Sequence, residues 1–279
     1  MCHGEDHNGA KTLRTGAYPS GSRALRRCRN AFIVTITFWS LIMFNFDGQR
    51  VLVIGGSSGI GRAAAQAFAK AGAAVTIASR SQSKLDEALA TIGTTARAVV
   101  LDTGDASAVE RFFADHAPWQ HVVVSAAQTP TGQVRKLSLD DAHAAFDSKF
   151  WGSYHVARYA RIEDGGSLTL TSGYLSVRPS TSSVVQGAIN AAVEALGRGL
   201  ALELSPVRVN TVSPGLTVTP LWNKLAEADR EAMYRNAAER LPARRVVAAE
   251  DVANTILYLA GTPSATGSTV LIDAGGAIA

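Results

Sequence analysis

Between residues 50 and 272, short β-branched runs alternate with longer amphipathic stretches, and that alternation leaves few folds open. The runs are RVLVI (50–54), AVTIAS (74–79), ARAVVL (96–101), HVVV (121–124), SLTLT (167–171), VRVNTV (207–212) and STVLI (268–272). Helical periodicity falls between and around them, near 60–71, 82–91, 105–116, 138–160, 183–204, 220–240 and 250–260. Largely apolar strands must be covered on both faces, and a helix between consecutive strands is the connection that parallel pairing requires. The expectation is an α/β domain: a Rossmann-type doubly wound parallel sheet of about seven strands with helices on both faces. No repeat or linker divides residues 43–279, so they are read as one domain.

Composition narrows what such a domain binds. The chain is 47% hydrophobic and 18% charged, with a net charge of +4, a balance that suits a globular protein with a sizeable core. The charge is local. Lys11, Arg14, Arg23, Arg26, Arg27 and Arg29 against Glu5 and Asp6 place all of it in residues 1–42. The rest is balanced, and nucleic acid is not an expected partner. Cys2 and Cys28 lie in the same segment. The body therefore has no thiol for disulfide or redox chemistry, which suits a reducing cytoplasm. No metal site is expected. The apolar run AFIVTITFWSLIMF (31–44) is shorter than the ~18 residues of a spanning helix, and no small-residue cleavage site follows it. It reads as a segment ahead of a true start at Met43, as a targeting or anchoring segment, or as an accessory helix. The first is favoured, which makes 1–42 an extension outside the folded domain and leaves membrane association unexpected.

The loop IGGSSGIG (54–61) joins the first strand to an Ala-rich helix. Glycine permits a sharp turn and lets backbone N–H groups approach a pyrophosphate at the helix N-terminus, where the helix dipole favours negative charge. Gly55, Ser57, Ser58, Gly59, Ile60 and Gly61 are the candidate contacts. The second strand ends in Ser79 and Arg80. A site for unphosphorylated dinucleotide carries a carboxylate there to bond the ribose 2′-hydroxyl. A hydroxyl and a guanidinium grip a 2′-phosphate instead, so NADP(H) is expected over NAD(H).

With LDTGD (101–105), RVNTVSPG (208–215), AEDVA (249–253) and ATGSTVLIDAGG (265–276), this glycine spacing resembles the short-chain dehydrogenase/reductase family across essentially all of 48–279. The resemblance implies a nicotinamide cofactor, a small-molecule substrate and a homodimer or homotetramer. It implies that Asp102 and Thr103 border the adenine and that Ser125 and Ala126 replace an Asn-rich turn behind the cofactor. Pro214, Gly215 and Thr219 would stand at the nicotinamide end, and Ile54 occupies a position where a threonine usually braces the turn.

The larger departure is in the catalytic set. The family places a Ser at the end of the fifth strand, a Tyr and a Lys four apart on the next helix, and an Asn on the helix before. By position Ser172 matches the serine, but Gln186 stands for the Tyr, Asn190 for the Lys and Lys149 for the Asn. Gln186 has no proton to give at neutral pH, though its amide can polarise a carbonyl. Lys149, feeding a proton through Ser172 or water, is one candidate replacement for the missing acid. Tyr174, with Arg178 nearby, is another, and Ser172 itself could donate a hydrogen bond to a substrate oxygen. Glu194, Arg198 and Glu203 are read as the wetter side of helix 183–204, and 216–245, with Leu221, Trp222 and Tyr234, as a substrate lid. Two functions remain open: an NADP(H)-dependent reductase with an altered proton donor, or a nucleotide-binding sensor or partner protein without turnover.

Overall fold

The computed structural model describes residues 44–279, and the expectations for residues 1–42 lie outside the described residues. The strands are β1 (Arg50–Ile54), β2 (Ala74–Ser79), β3 (Arg97–Val100), β4 (Trp119–Val124), β5 (Ile162–Thr171), β6 (Arg208–Pro214), β7 (Thr217–Val218), β8 (Val247–Ala248) and β9 (Thr269–Ile272). Seven of them form one sheet in the order β3-β2-β1-β4-β5-β6-β9, with every pair parallel. The other two, β7 and β8, form a small parallel pair of their own. The helices are α1 (Gly59–Lys70), α2 (Gln82–Ile92), α3 (Ala106–Asp115), α4 (Leu139–Phe146), α5 (Gly152–Tyr159), α6 (Val184–Glu203), α7 (Glu227–Arg240) and α8 (Ala249–Gly261).

Successive strand residues feed two separate cores, as alternation of side chains across a sheet demands. Val51 and Val53 of β1 join Val75, Ile77 and Val212 under α1, α2 and α8. Their neighbours Leu52 and Ile54 join Val122, Leu168 and Leu170 under α3, α5 and α6. Residues of this kind, fully buried, each stabilise the fold by about 1.5–3 kcal/mol relative to exposure. The strand order reverses between β1 and β4, because β1 pairs with β2 on one side and with β4 on the other. Such a switch opens a crevice at the carboxyl ends of the strands, and the loops after β1–β6 converge there.

Two expected helices are broken. The 138–160 pattern becomes α4, a five-residue π-helical turn at Asp147–Trp151, and α5. A π turn admits one extra residue and re-aims the side chains on it; here it turns Lys149 inward, leaving it 7% exposed. The 220–240 pattern becomes a 3₁₀ turn at Pro220–Lys224 followed by α7, which buries none of its residues.

Candidate active site

The crevice begins at β1. Gly55 has φ +86, and a Cβ there would stand 2.5 Å from the Ala126 nitrogen. At Gly61 a Cβ would stand 2.3 Å from the Gly55 carbonyl oxygen. Backbone therefore packs directly on backbone, and the loop lies tight against Ser125 and Ala126, where the Ser125 N–H donates to Ile54 O at 2.8 Å. Ser81, Asp105 and Ser138 cap α2, α3 and α4 with side-chain bonds, whereas Ser58 at α1, like Ser183 at α6, makes no such bond. The leading N–H groups of α1 are thus left for an anion. Ser57, Ser58, Gly59, Ile60 and Gly61 are the residues that could hold a dinucleotide pyrophosphate here. Thr219, arriving after β7, packs its methyl 3.3 Å from the Cβ position of Gly59.

Toward the β3 edge, Ser79 Oγ donates to Ser81 O at 3.4 Å, and the exposed Arg80 donates from Nη2 to Gln128 Oε1 at 2.8 Å. Asp102 accepts from the Gly104 N–H at 2.9 Å. Thr103 is buried, and its carbonyl accepts from His155 Nδ1 at 2.8 Å. No carboxylate stands in the turn between β2 and α2. On the far side, Pro214 ends β6, and the Gly215 N–H donates to Ile272 O at 2.9 Å.

Past β4 the site is made of side chains. Lys149 Nζ donates to Ser172 O at 2.8 Å and to Asn190 Oδ1 at 2.7 Å. Its pKa is lowered from 10.5 to about 8, because burial disfavours the ammonium while the Glu194 carboxylate partly restores it. Ser172 Oγ donates to Glu194 Oε1 at 2.7 Å and approaches the Asn190 carbonyl at 3.1 Å. Ser176 and Ser213 donate to the same Glu194 oxygen at 2.6 and 3.0 Å. Gln186 donates from Nε2 to Thr129 Oγ1 at 3.2 Å, joining α6 to the segment after β4. Gly173 lies against Asn190: a Cβ there would stand 2.8 Å from Nδ2.

Lys149, Ser172 and Asn190 therefore do meet, and Gln186 lies one helical turn before Asn190, but several expected roles change. The Ser172 hydroxyl donates to Glu194, where it and two other serines together satisfy one buried carboxylate oxygen. Lys149 reaches the Ser172 carbonyl and not its hydroxyl, so no relay runs between those two groups. Glu194 is not on the wet side of α6: it is 8% exposed, while Arg198 and Glu203 are exposed as expected. Sequence reasoning missed its role; the signal was the concentration of small hydroxyl residues at the ends of β5 and β6. Tyr174 is half-buried with its ring edge 3.3 Å from the Cβ position of Gly276, and Arg178 is exposed. In the expected lid, Leu221 is exposed, Trp222 Nε1 donates to Thr217 O at 3.0 Å, and the Tyr234 hydroxyl is buried without a partner.

A switch-point crevice with a glycine cradle at its phosphate end defines a dinucleotide-binding α/β domain. The family model described as enoyl-(acyl carrier protein) reductase matches residues 55–276. The chain is 34% identical over 250 residues to the short-chain dehydrogenase/reductase ATR9 of Stachybotrys chlorohalonatus, covering 82% of this chain and 97% of that one. It is 32% identical over 248 residues to carbonyl reductase (NADPH) 2 of Sus scrofa, covering 84% and 98%. Among solved structures it resembles a small-chain dehydrogenase in complex with NADPH, with a TM-score of 0.71 at 33% identity, covering 84% of this chain and 100% of that chain. The chain belongs to the short-chain dehydrogenase/reductase family. No helix of the described residues is long and apolar enough to cross a membrane.

Proposed function

We propose that this protein is an oxidoreductase moving a hydride between NADP(H) and a small, rather apolar carbonyl, quinone or imine, with an altered proton donor. The observation that carries the reading is the pairing of an anion-ready α1 terminus with Arg80 and Ser79 at the end of β2, where no carboxylate opposes a 2′-phosphate. A structural neighbour bound to NADPH and a relative named as an NADPH carbonyl reductase support the choice of cofactor. Bound cofactor would supply or accept the hydride. The chain's own residues hold the cleft: Gln186 and Asn190 offer amide groups to a ligand oxygen, Lys149 places positive charge behind them, and Tyr174 stands at the mouth. Without a phenol at 186 the step loses general-acid help worth roughly 10²–10⁴ in rate. Positioning of the reactants still contributes about 7–11 kcal/mol. Electron-poor acceptors, whose reduced oxygen is weakly basic, lose least. The protein works as a homodimer or homotetramer in the cytoplasm; exposed Trp151, Val184 and Leu202 support self-association.

A second reading, a redox-state sensor that binds NADP(H) without turnover, is favoured by Gln186 in the acid's position and by its bond to Thr129. One experiment separates them. The purified full chain is titrated with NADPH and NADH, and NADPH absorbance is followed against ketones, diones, quinones and imines. Tight NADPH binding with turnover of the electron-poor acceptors supports the enzyme; tight binding with no turnover supports the sensor. Equal affinity for the two cofactors overturns the NADP(H) preference.

A further inference from the structure

A side-chain bond reaches across the crevice at the end of β1. Arg80 stands directly after β2 and Gln128 beyond the end of β4, with β1 between those two strands. Even so, Arg80 Nη2 donates to Gln128 Oε1 at 2.8 Å. Both residues are exposed, and an exposed arginine samples many rotamers that must be given up when it grips a ligand. Gln128 offers it a fixed post. The Gln128 N–H donates to Ser148 Oγ on the π turn at 2.8 Å. The next residue, Thr129, accepts from Gln186 Nε2 on α6 at 3.2 Å. On the other side of Gln128, the Ala126 nitrogen lies against Gly55. We propose that Gln128 is a specificity-determining residue, which positions the Arg80 guanidinium over the crevice for the 2′-phosphate of NADP(H). The inference rests on the cofactor preference proposed above and adds to it a residue from the far side of β1.

The chemistry of the pair suits this role better than that of a plain surface contact. Arginine carries five N–H donors. The bond to Gln128 uses one, which leaves a fork free for a phosphate. The acceptor is a neutral amide. A carboxylate in its place would hold the guanidinium as firmly but cancel the charge that attracts an anion. Arg80 belongs to neither ion pair among the described residues, Arg235 with Glu231 and Arg245 with Asp251. Asp102, after β3, accepts from the Gly104 N–H of its own loop. The guanidinium is thus held in place with its charge uncompensated, which is the state a second anion-binding group needs.

The test titrates the full chain, by calorimetry, with two fragments that differ only in the 2′-phosphate: adenosine 2′,5′-bisphosphate and 5′-AMP. The quantity read is the ratio of their dissociation constants, with the melting temperature as a control on folding. Gln128→Ala should cut the preference for the bisphosphate by about 5-fold, the loss expected when one long side chain must be ordered on binding. Gln128→Glu keeps an acceptor in reach but cancels the charge, and should lower the preference further, to the level of Arg80→Ala. A role confined to packing would leave that variant near the parent. In an Arg80→Ala background, Gln128→Ala should move the ratio by less than about twofold. The proposal is overturned if Gln128→Ala keeps the parent's ratio within about twofold, or if it costs as much without Arg80 as with it. A parent that binds both fragments equally fails the cofactor preference, and the inference falls with it. A parent that prefers the bisphosphate, with variants that keep the preference, fails the inference alone.

Discussion

The two halves of the crevice are built from different material. From β1 to β3 the contacts are backbone: Gly55 and Gly61 let main chain lie on main chain, and α1 leaves its first N–H groups open. From β4 to β6 the contacts are side chains, linked in one network through Lys149, Asn190, Ser172 and Glu194. A site made of backbone needs only that certain positions carry no side chain, so the rest of its sequence can drift. A site made of interlocked polar side chains changes as a set. This chain buries an ammonium at Lys149 against the carboxamide of Asn190, with the carboxylate of Glu194 in the same cluster. The difference separates what a glycine pattern can announce from what only coordinates reveal.

The largest expected effect breaks the backbone half. Gly55→Val forces a β-branched residue to φ +86 and drives its Cβ into Ser125 and Ala126. Positive φ costs ~1–2 kcal/mol and the overlap ~1–3 kcal/mol more. Urea unfolding should show a loss of about that size, and NADPH affinity measured by fluorescence should fall at least ~100-fold. A variant that keeps both would mean the cradle is not where the cofactor sits.

The same contrast explains how much could be read from the residues alone. All seven strands of the main sheet were legible because β-branched runs flanked by helical periodicity have few alternatives, and the glycine loop was legible because its reason is steric and local. The π turn at 147–151 was not: one extra residue barely disturbs a helical pattern, yet it decides that Lys149 points inward. Glu194 was misplaced for a related reason. A carboxylate on an apolar helix is costly to bury without partners, and its partners Ser172, Ser176 and Ser213 arrive from the end of β5, the 3₁₀ turn after it and β6, each 18 to 22 residues from Glu194 in sequence. Their convergence is a property of the sheet order.

An intermediate effect sharpens the side-chain half. Glu194→Leu removes the carboxylate that supports the Lys149 ammonium. It also leaves the hydroxyls of Ser176 and Ser213 without their acceptor, each stranded donor costing ~1–3 kcal/mol, which urea unfolding would read. The pH dependence has a definite sign. Folding lowers the Lys149 pKa from 10.5 to about 8, so the unfolded chain binds this proton more tightly. The cost to stability is then full below pH 8 and fades as pH rises toward 10.5, in total about 3 kcal/mol. Parent minus Lys149→Met, compared by urea unfolding at pH 7 and pH 10, should show that slope. A flat difference would mean that Lys149 is not held as an ammonium in the folded protein.

The smallest effect tests the one place where the backbone half depends on a side chain. Arg80 is exposed and tied only to Gln128, so its loss should not unfold anything. Hydrogen bonds to a charged group contribute about 1.5–3 kcal/mol when made. Solvent screening at an exposed guanidinium keeps the effect near the lower end. Arg80→Ala should therefore weaken NADPH binding by roughly 10-fold, leave NADH unchanged and leave the melting temperature within a degree or two. Because α1 and the glycine loop, on the proposed reading, would hold the pyrophosphate of either cofactor, the ratio of the two dissociation constants reports Arg80 and little else. Equal weakening of both would move Arg80 from the 2′-phosphate to the groove wall shared by the two nucleotides, where its bond to Gln128 would be its whole role.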